Sequence, residues 1–230
     1  IEFKRIQTLD DVIAKRMELL TAYQNAAYAQ QYLALVDDVR AAEAKLGKDT
    51  RLAEAVARYF YKLMAYKDEY EVARLYTDGA FQKKIAAMFE GDITLKFHLA
   101  PPIMARHDAQ GQLVKKEFGP WMMKAFGVLA KFKGLRGTAL DIFGYTEERK
   151  TERALIGQYR ETVRALLPKL TVANLAQAVA IASIPEDIRG YGHVKERHLK
   201  AARQKEAGLV AAFDQPAEKV IELVRQAHVA

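Results

Sequence analysis

The sequence predicts a mainly α-helical protein, a multi-helix bundle with one small two-stranded antiparallel β unit near residues 93–118. Three observations point there. Apolar side chains recur every three or four residues through most of the chain. The interval shortens to two only around Ile93–Leu99, and glycines or prolines interrupt the runs at helix-length distances. With 230 residues, half of them hydrophobic and 28% charged, the chain has the material for a packed core and not the composition of a disordered one.

Thr8 followed by Asp11 is a capping-box-like start, after which Leu9, Val12, Ile13, Met17, Leu20 and Tyr23 keep helical spacing. The pattern continues through Tyr28, Tyr32, Leu35, Val36 and Val39 to Leu46 before Gly47 stops it. A run this long implies either two helices meeting around residues 29–31 or one extended helix. Thr50 can cap a helix whose apolar face carries Leu52, Val56, Tyr59, Phe60, Leu63 and Met64. Another helix runs from Lys67 to Asp78-Gly79, and Phe81, Ile85, Met88 and Phe89 mark a short one ahead of Gly91.

Ile93, Leu95, Phe97 and Leu99 alternate with Thr94, Lys96 and His98, the signature of a half-buried strand, and Pro101-Pro102 ends it. After the turn-prone Asp108-Ala109-Gln110-Gly111, residues Leu113 to Phe118 offer its partner. Pro120 suits the first turn of a helix bearing Trp121, Met122, Phe126, Leu129 and Phe132. Gly134, Gly137 and Gly144 make the next stretch a loop, and helices follow at about 147–167, 172–183 and 186–213, with Pro216 opening a last one. The expectation is a single helical domain over 1–230 with a possible internal boundary near 134–144, cut from a longer polypeptide.

Several function classes fall away. No apolar run approaches the length of a membrane span, so a soluble, cytoplasmic protein is expected, with no membrane partner. With zero cysteines the chain has no disulfides, thiolate zinc sites, cysteine nucleophiles or cysteine-ligated clusters. His98, His107, His193, His198 and His228 show no helical zinc spacing. Gly190-Tyr191-Gly192 lacks the third glycine of a dinucleotide fingerprint, and the lone serine, Ser183, has no nucleophile-elbow context. His193 and Glu196, three apart, offer a weak proton-transfer pair that reads first as a surface contact.

The net charge of +7 lies entirely between residues 101 and 200. Lys115, Lys116, Lys124, Lys131, Lys133 and Arg136 are the candidates for docking an acidic partner or an anion, and Gly134–Thr138 beside Lys133 and Arg136 can form a backbone nest for a phosphate. Nucleic acid is not expected as a partner, since no recognition motif accompanies the charge. The carboxylates Asp68, Glu69 and Glu71 lie among Tyr66, Tyr70, Arg74 and Tyr76, which read as a polar, tyrosine-lined helix buried in an interface.

KLMAYKDEYEVARLYTDGAF at 62–81, FHLAPP at 97–102, KEFGPWM at 116–122, GLRGTALDIFGYTEER at 134–149 and IPEDIRGYGHVKERHL at 184–199 resemble the C-terminal domain of the long, fused indolepyruvate ferredoxin oxidoreductases. The similarity runs from about Leu9 to about residue 213. It implies a parent enzyme that decarboxylates aryl 2-oxoacids with thiamine diphosphate and Mg, reduces ferredoxin through iron–sulfur clusters and forms acyl-coenzyme A. In that family the thiamine and cluster modules lie upstream in the same polypeptide. Gly91-Asp92-Ile93 does not continue into a thiamine-binding pattern, so no catalytic, cofactor or metal residue is carried over onto this chain. The expectation is therefore a non-catalytic accessory or assembly domain whose candidate partners are the upstream modules, ferredoxin and further copies of the chain. A stand-alone module binding coenzyme A or nucleotide phosphates is the alternative.

Overall fold

A computed structural model describes residues 7–99 and 114–214. In order these form α1 (Leu9–Tyr23), α2 (Ala26–Glu43), α3 (Arg51–Met64), α4 (Glu69–Thr77), α5 (Ala80–Met88), β1 (Phe97–Leu99), β2 (Lys116–Phe118), α6 (Met122–Lys131), α7 (Glu147–Leu166), α8 (Leu175–Ala182) and α9 (Gly192–Phe213). Short 3-10 turns at Phe132–Leu135, Leu167–Lys169 and Ile184–Asp187 follow α6, α7 and α8. The mainly α expectation is met, small antiparallel sheet included. Pro101-Pro102, the 108–111 turn, His107, the helix expected from Pro216, and His228 lie outside the described residues.

Where the sequence suggests one domain, the chain divides into two compact units. Unit 1 is Ile1–Tyr66 with Thr151–Ala230, and unit 2 is Lys67–Lys150. The boundary expected near 134–144 is instead an interior loop of unit 2. The Asp141 carboxylate holds it closed, accepting from the backbone N–H of Gly137 at 2.8 Å and of Gly144 at 3.0 Å.

Unit 1 is organised on α3, which buries Leu52, Val56, Phe60 and Met64 together with small Ala53, Ala55 and Ala57, and packs against α1, α2 and α8. The Thr8–Asp11 capping box opens α1 as its spacing predicts. The α1–α2 break falls at Asn25, ahead of the expected position, because the Asn25 carboxamide oxygen accepts from Tyr28 N–H at 2.8 Å and caps a new helix. Thr50 makes no side-chain cap of α3. Instead the buried Glu43, at the end of α2, accepts from Leu52 N–H at 2.8 Å and Ala53 N–H at 2.9 Å. A carboxylate nine residues upstream thus neutralises the orphan donors at the start of α3. Burial nonetheless raises the Glu43 carboxyl above the ordinary glutamate range, its two backbone N–H donors only partly offsetting the loss of water.

Tyrosine hydroxyls satisfy backbone carbonyls inside this unit. Tyr23 donates to Tyr66 O at 2.9 Å, Tyr28 to Met64 O at 2.9 Å, Tyr32 to Ala57 O at 3.2 Å and Tyr159 to Ala182 O at 2.8 Å. Met64 O belongs to the last turn of α3, where helical carbonyls lack intrahelical partners, and Tyr66 O lies just beyond it. The rings of Tyr32, Phe60 and Tyr159 stack in a row, with centroids 6.2 and 5.7 Å apart. Lys62 reaches the turn after α8, donating to Pro185 O at 2.5 Å and Ile188 O at 3.0 Å, while Tyr59 donates to Glu186 at 2.7 Å. The string at 184–199 is therefore tied down by α3 side chains.

Unit 2 packs α4 against α6 over Ala73, Phe97, Met122 and Phe126. Tyr76 lies flat on Phe126 at 5.2 Å and edge-on to Phe97 at 5.4 Å and Phe81 at 4.8 Å. β1 and β2 pair with Phe97 opposite Phe118 and Leu99 opposite Lys116, so the strands bury one face on this cluster. Gly79, at φ +86°, makes the left-handed turn into α5 that a side chain would strain.

Candidate functional site

Unit 2 holds a buried ion pair and a cavity lined by both apolar and charged side chains, so the site is built there. Asp68 precedes α4 and caps it, its Oδ1 accepting from Glu71 N–H at 2.9 Å. The same carboxylate receives a bidentate guanidinium. Arg136 Nε reaches Oδ2 at 2.5 Å and Nη2 reaches Oδ1 at 2.8 Å, with the two residues 3% and 5% exposed. The guanidinium also stands 5.6 Å over the Tyr70 ring, whose hydroxyl donates to Asp141 at 3.3 Å. Burial first, and then the Asp141 carboxylate, push the Tyr70 phenol up to about 12, so it remains a donor at any physiological pH. Asp68, Tyr70, Arg136 and Asp141 thereby fasten the 134–149 string to α4.

Beside this network lies a cavity of about 320 Å³. Val72, Leu99, Met122, Ala125, Phe126, Leu129 and Phe143 form its apolar part, and Lys67, Asp68, Glu69 and Arg149 its polar part. Glu69 Oε1 accepts from Arg149 Nη2 at 3.4 Å, whereas Glu69 Oε2 is buried with no hydrogen-bond partner. An apolar chamber with a few charged groups at one side is the usual form of a small-molecule site.

The residues singled out from the sequence fare unevenly. Lys115, Lys124 and Lys131 are exposed and Lys116 is half-buried. Arg136 is not on that surface: the bidentate pairing with Asp68 takes it into the interior. Lys133 is half-buried, and burial, followed by the charges of Arg74 and Arg136, lowers its ammonium below the ordinary lysine value. The Gly134–Thr138 segment does not offer a free anion nest, because Gly137 N–H is already committed to Asp141. The expected tyrosine interface is also corrected. Tyr66 is buried in unit 1 and Tyr70 in unit 2, Tyr76 stacks in the unit 2 core, and Arg74 pairs with Glu71 at 2.7 Å.

His193 and Glu196 are both exposed on the first turn of α9, and His98 is exposed on β1, 3.9 Å from Glu117. Ser183 donates to Val179 O at 2.7 Å. No group of three or more histidine, aspartate and glutamate side chains among the described residues is placed to hold a metal, and no helix among them is long and apolar enough to cross a membrane. Sequence reading missed Glu69, Phe143 and Arg149 as cavity residues. They come from α4, a loop and the start of α7, and no local pattern signals their convergence.

No curated protein and no solved structure matches the chain. A family model matches residues 9–208, spanning most of both units, and on that match the chain belongs to DUF6537, a family of unknown function.

Proposed function

We propose that the chain is a non-catalytic accessory domain of a fused, cytoplasmic indolepyruvate (aryl 2-oxoacid) ferredoxin oxidoreductase, and that unit 2 packs on the catalytic modules upstream in the same polypeptide. One observation carries this reading. Among the described residues, eleven of the thirteen exposed large hydrophobic side chains belong to unit 2, including Met88, Phe89, Trp121, Val128, Phe132, Leu140 and Ile142. Scattered exposed apolar residues are ordinary, but their concentration in the smaller unit marks a surface made to be covered. The five strings that resemble the oxidoreductase family supply the identity of the cover. Thiamine diphosphate, Mg and the iron–sulfur clusters belong, on this reading, to the upstream modules, while the chain's own residues build and hold the packing surface.

The test has two steps. An antibody against residues 1–230 should detect, in the native source, one band several times heavier than 25.9 kDa. In that polypeptide, Trp121→Ser with Leu140→Ser should weaken assembly and lower turnover, while Val172→Ser with Tyr191→Ser in unit 1 should change neither. A band near 25.9 kDa, or unchanged assembly and turnover after deletion of residues 1–230, overturns the proposal. The alternative of a small-molecule module is favoured by the cavity, not by the 134–138 loop.

A further inference from the structure

We infer that the unit 2 cavity is a binding site for a small aromatic zwitterion, of the class of the aromatic α-amino acids. This stands independently of the assembly reading. Size gives the body of the ligand: an apolar cavity of about 150 Å³ admits benzene, and this one, at about 320 Å³, has room for a one- or two-ring group. Its lining gives the character of that body. Phe126 and Phe143 provide ring faces and edges, and Met122 and Leu129 adaptable apolar contact.

The polar side gives the rest. Asp68 is fully engaged by Arg136 and Glu71 N–H and has nothing to offer a ligand. Glu69 differs, since its Oε2 has no hydrogen-bond donor; the atom has almost no accessible surface as it stands, and a rotation of the carboxylate would bring it to an incoming ammonium. Lys67, exposed and lining the same cavity, places a cation where a ligand carboxylate would emerge. Donor, acceptor and ring are thus specified by three different features of one chamber.

Isothermal titration of the full 230-residue chain with L-phenylalanine, L-tryptophan, phenethylamine and 3-phenylpropionate tests the assignment. Expected are saturable binding of at least one amino acid at one site per chain and about tenfold weaker binding of both truncated compounds, each lacking one charge-assisted contact. Glu69→Gln should weaken amino-acid binding about tenfold. Ala125→Phe should fill the chamber and abolish it, with an unchanged thermal midpoint showing that the variant folds. Flat heats with all four compounds, binding undiminished in Ala125→Phe, or phenylpropionate binding as tightly as phenylalanine would each overturn the proposal.

Discussion

Removing the Arg136 guanidinium should destabilise unit 2 more than any other single surface-to-core charge change in it. Arg136→Met keeps much of the side-chain volume but leaves Asp68, 3% exposed, with Glu71 N–H as its one remaining partner of the three described above. Breaking a buried pair from one side costs about 3–5 kcal/mol, because the surviving charge stays desolvated. Against a domain stability of about 5–15 kcal/mol, that is a large fraction. Asp68→Asn retains an oxygen for the α4 cap while removing the charge, so the double variant Asp68→Asn/Arg136→Met should regain about 2 kcal/mol or more over Arg136→Met alone. Urea unfolding supplies the assay. Trp121, the single tryptophan, belongs to unit 2 and its fluorescence follows that unit, while far-UV circular dichroism follows the whole chain. The loss should persist in high salt, since buried pairs are weakly screened. A cost for Arg136→Met below about 1 kcal/mol, or no recovery in the double variant, would refute the reasoning.

Glu43→Ala should cost about 2–3 kcal/mol in urea unfolding, since Leu52 and Ala53 N–H lose a buried carboxylate. Because burial raises the native Glu43 carboxyl, the folded chain holds this proton more tightly than the unfolded one; the associated stability is full below the ordinary glutamate value and lost as pH rises through the raised one. Glu43→Gln should flatten that slope in urea midpoints measured against pH. Asn25→Ala should lower stability by about 1 kcal/mol, read as a reduced thermal midpoint. On the proposed accessory-domain reading, reversing Lys115, Lys116, Lys124 and Lys131 to glutamate in the full-length polypeptide should raise the KM for ferredoxin at low ionic strength, with the effect fading in salt; an unchanged KM would argue against ferredoxin docking on these lysines.

Elements whose ends are set by near neighbours were legible. Thr8 and Asp11 are three residues apart, and the strand pair announces itself by alternation around Phe97. Asn25 does not stand out in the sequence, because apolar spacing continues across it and periodicity does not register a single capping side chain. The start of α3 was placed correctly at Thr50, yet its actual cap, Glu43, belongs to the preceding helix and is joined to it only by tertiary packing. From the sequence Arg136 reads as a surface cation, because an arginine in a glycine-rich loop usually is one and its partner lies 68 residues away. The cavity was the least legible feature. Its walls come from α4, β1, α6, a loop and the start of α7, none with a pattern that marks a site, so the chamber exists only once those faces meet.

The nested order of the two units bears on how the chain is made. Unit 2 is contiguous, whereas α1, α2 and α3 are separated from the rest of unit 1, which begins at Thr151 and includes α8, by the whole of Lys67–Lys150. At about 5–20 residues per second on the ribosome, that interval lasts roughly 4 to 17 seconds. Throughout it the face of α3 that will receive α8, and the Phe60 ring that will stack on Tyr159, have no partner yet synthesised. Unit 2 can finish first, and the nascent N-terminal helices are the stretch on which a cellular chaperone would act.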